Sequence, residues 1–272
     1  MSETLDLAPD EIPREEVRAR LAALEREHEV RVVYAVESGS RAWGFASRDS
    51  DVDARFLYVR RPAWYLSVWP GRDVIEPPID GLFDVSGWDL KKALGLFAKS
   101  NPPLLEWLRS PLVYREETDV AQGLRDLTPR FYSRRACFYH YWSMARSNFK
   151  AELRGDLVRP KKYFYVLRPI LCCHWIQAEP EAPPPMEFDR LVDRFLTGDV
   201  RETVEALLVE KRAGAEGDRR PPIPVLQRFA EAELVELERL AQSVPPSEAD
   251  REALNSFFLQ ALREVWPDQP IP

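Results

Sequence analysis

The chain has 272 residues, a formal net charge of −7, and 45% hydrophobic and 11% aromatic content. That composition excludes a disordered or fibrous polymer and supplies a packed core for one large domain or two small ones, while the overall acidity argues against indiscriminate nucleic-acid binding. The three cysteines, Cys137, Cys172 and Cys173, are odd in number with only a vicinal pair close in sequence, so no disulfide framework is expected and a reducing, cytoplasmic setting fits.

Residues 1–12 are acidic, lack an apolar targeting core, and read as a flexible N-terminus. No stretch approaches the roughly 18 apolar residues of a membrane span, so no membrane partner is expected. A first helix is expected from Pro13 to His28, with Pro13 near its first position and Val17, Leu21 and Leu24 on one stripe. The β-branched and aromatic run Arg31 to Val36, bounded by Ser38 and Gly39, reads as a buried strand entering a tight turn. Further strands are expected over 52–59 and 80–86, separated by the aromatic, proline-bearing segment 62–78. A helix over 88–99 ends at Asn101-Pro102-Pro103, and a short one carries Leu104, Leu105, Trp107 and Leu108. Beyond Pro111 the periodicity is helical almost throughout, in runs near 117–127, 131–154, 160–178, 187–212 and 223–264, with proline-rich loops at 180–185 and 221–224. The expected fold class is therefore α+β. A small α/β domain with a short mixed sheet and flanking helices occupies 13–115, and a mostly helical domain occupies 116–272.

The residues that carry chemistry are concentrated between Gly39 and Asp53, GSRAWGFASRDSDVD. A glycine-serine turn after a strand exposes backbone N–H groups. If 41–46 opens a helix, those donors, with Ser40 Oγ, form a cradle for a polyphosphate. Asp51 and Asp53 follow at i, i+2 on the next strand, so their side chains leave the same face with α-carbons about 6.6 Å apart. Carboxylates so placed can converge on two Mg²⁺ ions roughly 3.5–4 Å from each other. A polar turn capped by Asp51 would account for that residue, but not for Asp53 inside a strand. Arg41 is placed to reach a phosphate or to pair with Glu37. Arg55, on the face of Asp51 and Asp53, either restrains those carboxylates or contacts phosphate.

The string GSRAWGFASRDSDVDARFLYV resembles the active-site signature of the DNA polymerase β-like nucleotidyltransferase superfamily. More closely, the chain is similar to the stand-alone bacterial nucleotidyltransferases associated with RNA-repair operons, a likeness carried also by DVSGWDLKKALGLFAKSNPPLLEWLRSPLVY at 84–114, FYHYWSMARSNFK at 138–150 and KKYFYVLRPILCCHWI at 161–176. The resemblance spans about residues 30–180. It implies that Gly39 and Ser40 hold a triphosphate, that Asp51 and Asp53 bind metal (Mg²⁺, with Mn²⁺ as an alternative), and that a third carboxylate lies on a later strand. Asp84 is the first choice for that carboxylate, with Asp80 and Asp89 as alternatives, and it would position or activate an acceptor hydroxyl. The resemblance also implies a phosphate contact from Lys161 or Lys162.

Charge is uneven: Arg130 to Arg168 carries a local balance of +8, leaving −15 on the remainder. Arg134, Arg135, Arg146, Lys150 and Arg168, interleaved with Tyr139, Tyr141, Trp142, Tyr163 and Tyr165, suit phosphate and base contacts, or equally a solvated face behind the core stripe Phe138, Trp142, Ala145 and Phe149. Cys172, Cys173 and His174 point in different directions on a helix and read as core, not as a zinc site. The expected activity is Mg²⁺-dependent transfer of a nucleoside monophosphate from a nucleoside triphosphate to an acceptor hydroxyl, with an RNA end favoured by the resemblance. The alternatives are nucleotidylation of a protein or small molecule, and a non-catalytic nucleotide-binding module.

Overall fold

The computed structural model describes residues 12–69, 71–214, 219–241 and 251–269. In chain order the elements are α1 (Arg14–His28), β1 (Val30–Ser38), α2 (Gly39–Ala42), β2 (Val52–Arg60), α3 (Pro62–Tyr65), β3 (Val74–Ile75), β4 (Phe83–Asp89), α4 (Leu90–Phe97), α5 (Pro102–Trp107), β5 (Val113–Glu116), α6 (Val120–Phe131), α7 (Arg134–Glu152), α8 (Lys162–Ala178), α9 (Phe188–Phe195), α10 (Gly198–Arg212), α11 (Pro224–Ala241) and α12 (Arg251–Val265). The fold is α+β, as expected. Chain packing divides it into two compact units, Met1–Ala42 with Asp51–Phe131 and Glu248–Pro272, and Trp43–Ser50 with Tyr132–Ser247. The first unit thus runs past residue 115 to include α6, and it takes in α12 as well. Apart from Ile12, the terminus expected to be flexible lies outside the described residues.

The first unit is built on a mixed sheet in the order β3-β4-β2-β1-β5. Alternation along β2 decides its two faces. Val52, Ala54, Phe56 and Tyr58 join Phe83 and Val85 of β4 and the α1 stripe of Val17, Leu21 and Leu24 in one core cluster. Burying each large apolar side chain of that stripe contributes about 1.5–3 kcal/mol. The intervening residues Asp53, Arg55 and Leu57, with Asp84, Ser86 and Trp88 of β4, therefore belong to the face away from α1. There Trp88 meets Trp107 of α5, with ring centroids 4.0 Å apart.

Local differences from the sequence expectations have identifiable causes. The strand expected over 80–86 is Phe83–Asp89, because Asp80 and Phe83 close a tight turn through Gly81, which has φ +60°. The following helix begins at Leu90, with Asp89 as its N-cap accepting from Lys91 N at 2.9 Å. β5 lies just ahead of the first helical run expected beyond Pro111, in a stretch for which no strand was expected. Its four residues pair with β1 and bury Tyr114, too short a run to show alternation. The run over 187–212 is two helices, parted at Leu196 and Thr197 with Gly198 at φ +55°.

The second unit is helical. α7 lies along α8, α11 packs against both, and α9 and α10 complete it. Ser133 caps α7 by accepting from Ala136 N at 3.3 Å. Cys137, Cys172 and Cys173 are buried in this core, the place read from the sequence for Cys172 and Cys173. Residues 43–50 are held within the same unit. The Phe45 ring stacks on Phe164 at 5.1 Å and meets Phe188 edge-on at 5.5 Å. Phe188 N donates to Trp43 O at 2.9 Å, and Arg212 Nη2 donates to Gly44 O at 3.0 Å. Among the described residues no helix is long and apolar enough to cross a membrane.

Candidate active site

β2 and β4 run parallel, in a register that sets Asp53 opposite Asp84 and Arg55 opposite Ser86. Both aspartates leave the face away from α1, and Arg55 bridges them. Its Nη2 donates to Asp53 Oδ1 at 3.1 Å and to Asp84 Oδ2 at 2.8 Å, while Nη1 donates to the Asp84 carbonyl at 2.7 Å. Of the two roles open to Arg55, restraint of the carboxylates is the one its hydrogen bonds describe. Each carboxylate keeps its other oxygen outside that bridge. One guanidinium answers two carboxylates, so the pair retains a net negative charge. Burial lifts the Asp53 carboxyl to about 6; Arg55 opposes the rise, and the charges of Asp84 and Asp51 add to it.

Gly39 lies against the same carboxylate. Its φ is +65°, and a Cβ at this position would collide with the Asp53 side chain. Absence of a side chain is what lets the turn and Asp53 adjoin. Ser40 is buried beside it in α2, a helix of a single turn, shorter than the stretch considered from sequence. Arg41 Nε donates to the Asp51 carbonyl at 3.2 Å, tying the turn to the start of β2. Asp51 itself precedes the strand and is exposed.

The other aspartates weighed for the third position lie elsewhere. Asp80 is in the turn before β4 and pairs with Arg20 at 2.8 Å. Asp89 is at the far end of β4, where it accepts from Tyr65 Oη at 2.8 Å and caps α4. Among the described residues no three carboxylate, histidine or cysteine side chains close into a ready metal cage. What stands together is Asp53, Asp84 and Arg55, with Asp51 at the strand entry. Hard carboxylate oxygens are the donor type that Mg²⁺ and Mn²⁺ take, so this set fits such an ion. Lys161 and Lys162 lie in the second unit, at the start of α8. Lys162 Nζ pairs with Glu152 at 2.9 Å and stands 5.5 Å from the Tyr165 ring centre.

Glu37 is the participant whose burial sequence reasoning missed. It is fully buried at the end of β1, where one carboxylate oxygen accepts from Asp53 N at 2.9 Å and the other accepts from Tyr114 Oη. Burial is the main reason its carboxyl is pushed up to about 7, with the two hydrogen bonds opposing. A lone glutamate closing an otherwise apolar strand was the available signal, because a buried carboxyl needs partners.

Residues 14–260 match the model of the RNA repair pathway DNA polymerase beta family. The chain is 46% identical over 250 residues to the uncharacterized protein YcgL of Bacillus subtilis (strain 168), covering 91% of this chain and 96% of that one. A solved nucleotidyltransferase-like protein from Exiguobacterium sibiricum 255-15 aligns over 95% of this chain and 81% of its own at 14% identity, with a TM-score of 0.29.

Proposed function

The chain belongs to the RNA repair pathway DNA polymerase beta family, and is thereby a nucleotidyltransferase; from that premise we propose that it moves a nucleoside monophosphate from a nucleoside triphosphate onto the hydroxyl of an RNA end. The observation that carries this reading is the apposition of Asp53 and Asp84 across parallel strands, with the Gly39 turn against Asp53. In this reading the Gly39 turn binds phosphate, Asp53 binds metal and Asp84 serves the acceptor, and the adjacency of the three supports it.

In the proposed reaction Gly39 and Ser40 hold the triphosphate tail through backbone N–H groups and the Ser40 hydroxyl. Asp51, Asp53 and Asp84 hold the divalent ions, Mg²⁺ in the first instance, which when bound supply charge neutralisation at the transferring phosphoryl group. Asp84 orients the acceptor hydroxyl and takes its proton as the new phosphodiester forms and pyrophosphate leaves. Arg55 fixes both carboxylates in the resting protein, and Arg41 secures the entry to β2. Glu37 holds the backbone of Asp53 in place from beneath.

The test is incubation with each α-labelled triphosphate and Mg²⁺, offering RNA with defined hydroxyl ends beside protein and small-molecule acceptors. Label is expected on RNA, and Asp53→Ala and Asp84→Asn are each expected to lower the transfer rate by about 100-fold or more. Transfer that persists in Asp53→Ala, or label found on protein alone, would end this reading.

A further inference from the structure

α4 and α12, both in the first unit, flank a cavity of about 700 Å³. Its floor is apolar, with Leu94 and Leu254 buried and Phe258 half-buried, and its rim carries Lys91, Lys99 and Arg251. All three cations are exposed, and none has an ion-pair partner among the described residues. Other cations of the chain, Arg20, Lys92, Lys162 and Arg201 among them, each pair with a carboxylate. Lys91 in α4 and Lys99 in the turn that follows it flank Gly95, where an added side chain would meet nothing within 4 Å.

Lys91 also lines a second cavity, of about 330 Å³, with Trp64 and Tyr65 in its wall. The two cavities share a boundary, because Tyr65 of one meets Phe258 of the other edge-on at 5.0 Å. The second cavity's acids are already answered: Asp73 pairs with Lys92, and Asp89 is buried and hydrogen-bonded to Tyr65 and Lys91 N. An extended trough with exposed cations along its rim and the aromatic rings of Phe258, Tyr65 and Trp64 along its lining is the pattern that binds a single nucleic-acid strand, phosphates on the cations and bases against the rings. An acidic amphipathic peptide would also satisfy the cations and the apolar floor; stacked bases are favoured by the Trp64, Tyr65 and Phe258 rings that carry the trough across both cavities. The net charge of −7 confines attraction for polyanions to local sites such as this one.

We infer that the trough between α4 and α12 seats the single-stranded RNA whose end is the acceptor. The inference rests on the RNA-acceptor reading above and adds the surface that holds the strand.

Fluorescence anisotropy with a short, labelled, single-stranded oligoribonucleotide tests it, using the full chain, the double variant Lys91→Glu/Lys99→Glu, and Gly95→Phe, which fills the trough at an open helical position. Salt-sensitive binding by the unaltered chain is expected, with affinity about 10-fold or more weaker in each variant, while triphosphate binding and the thermal midpoint of Gly95→Phe are unchanged. Equal RNA affinity in all three proteins would overturn the trough and leave the RNA-acceptor reading standing. No oligoribonucleotide binding by the unaltered chain, with label passing to a protein or small molecule, would overturn both. A glutamate-rich amphipathic peptide that binds and is lost in the same variants, with no RNA bound, would overturn the trough's assignment in favour of a protein partner.

Discussion

At Gly39 two demands meet in one residue. The backbone is left-handed, and a Cβ would occupy the space of the Asp53 carboxylate. Gly39→Ala is therefore expected to cost about 1–2 kcal/mol of stability from the backbone alone, and to lower nucleotidyl transfer by at least ~10-fold by displacing Asp53. Denaturant unfolding and the transfer assay together separate the two effects. Asp89 gives a prediction in pH. Burial raises its carboxyl to about 6 against an ordinary 3.8, opposed by the Tyr65 hydroxyl, Lys91 N and Arg60, and assisted by Asp73. The folded protein therefore holds this proton where the unfolded chain has released it. The associated stabilisation is complete below about pH 4, declines as pH rises towards 6, and is gone above it. In Asp89→Asn that decline is absent. The stability difference between the unaltered chain and Asp89→Asn, read from urea unfolding at pH 4 and pH 7, should change by up to about 3 kcal/mol. A difference that does not vary with pH would refute the assignment.

At the scale of elements, the register of β2 on β4 decides what the site contains. Gly87 lies opposite Phe56 in that register, and a Cβ on Gly87 would enter the Phe56 ring. Gly87→Ala is expected to destabilise by about 1–3 kcal/mol through overpacking, seen as a lowered thermal midpoint. Tyr114→Phe removes the hydroxyl that donates to buried Glu37 and should cost about 1–3 kcal/mol; an unchanged midpoint would mean that another donor serves Glu37. The same elements show how far the sequence could be read. β1 and β2 were legible because their apolar runs are long and end in turn residues, and α1 because Val17, Leu21 and Leu24 repeat at helical spacing. β5 was not, since four residues between proline and acidic neighbours carry no periodicity. Nor was the pairing of Asp53 with Asp84. A side-chain pattern indicates which face a residue takes, whereas parallel register across two strands is set by the whole sheet. Glu37 was legible as an acidic strand end but not as a buried group, because its partners Tyr114 and Asp53 N come from other strands.

At the scale of the molecule, the chain passes between its two packing units more than once, and the short return over Trp43 to Ser50 lies inside the signature itself. Phe45 is buried by Phe164 and Phe188, residues more than a hundred positions further on. A fragment ending at Phe131 keeps every candidate metal-binding carboxylate but leaves Phe45 and Trp43 without that packing. It is also deprived of α12, which packs against α4. Such a fragment is expected to be aggregation-prone and inactive, where the full chain is monodisperse and transfers label; light scattering and the transfer assay check both halves of that statement. Phe45→Ala in the full chain isolates the loop's share, with an expected loss of about 3–5 kcal/mol.

The threading of residues 43–50 also has a consequence in time. A ribosome releases the glycine turn and the aspartates early, yet the aromatic side chains that fix the loop between them emerge only with α8 and α9, and α12 follows later still. During translation the signature is present as covalent sequence long before it exists as a shaped site. Nucleotidyl transfer is therefore expected to be absent from nascent polypeptides halted before α9.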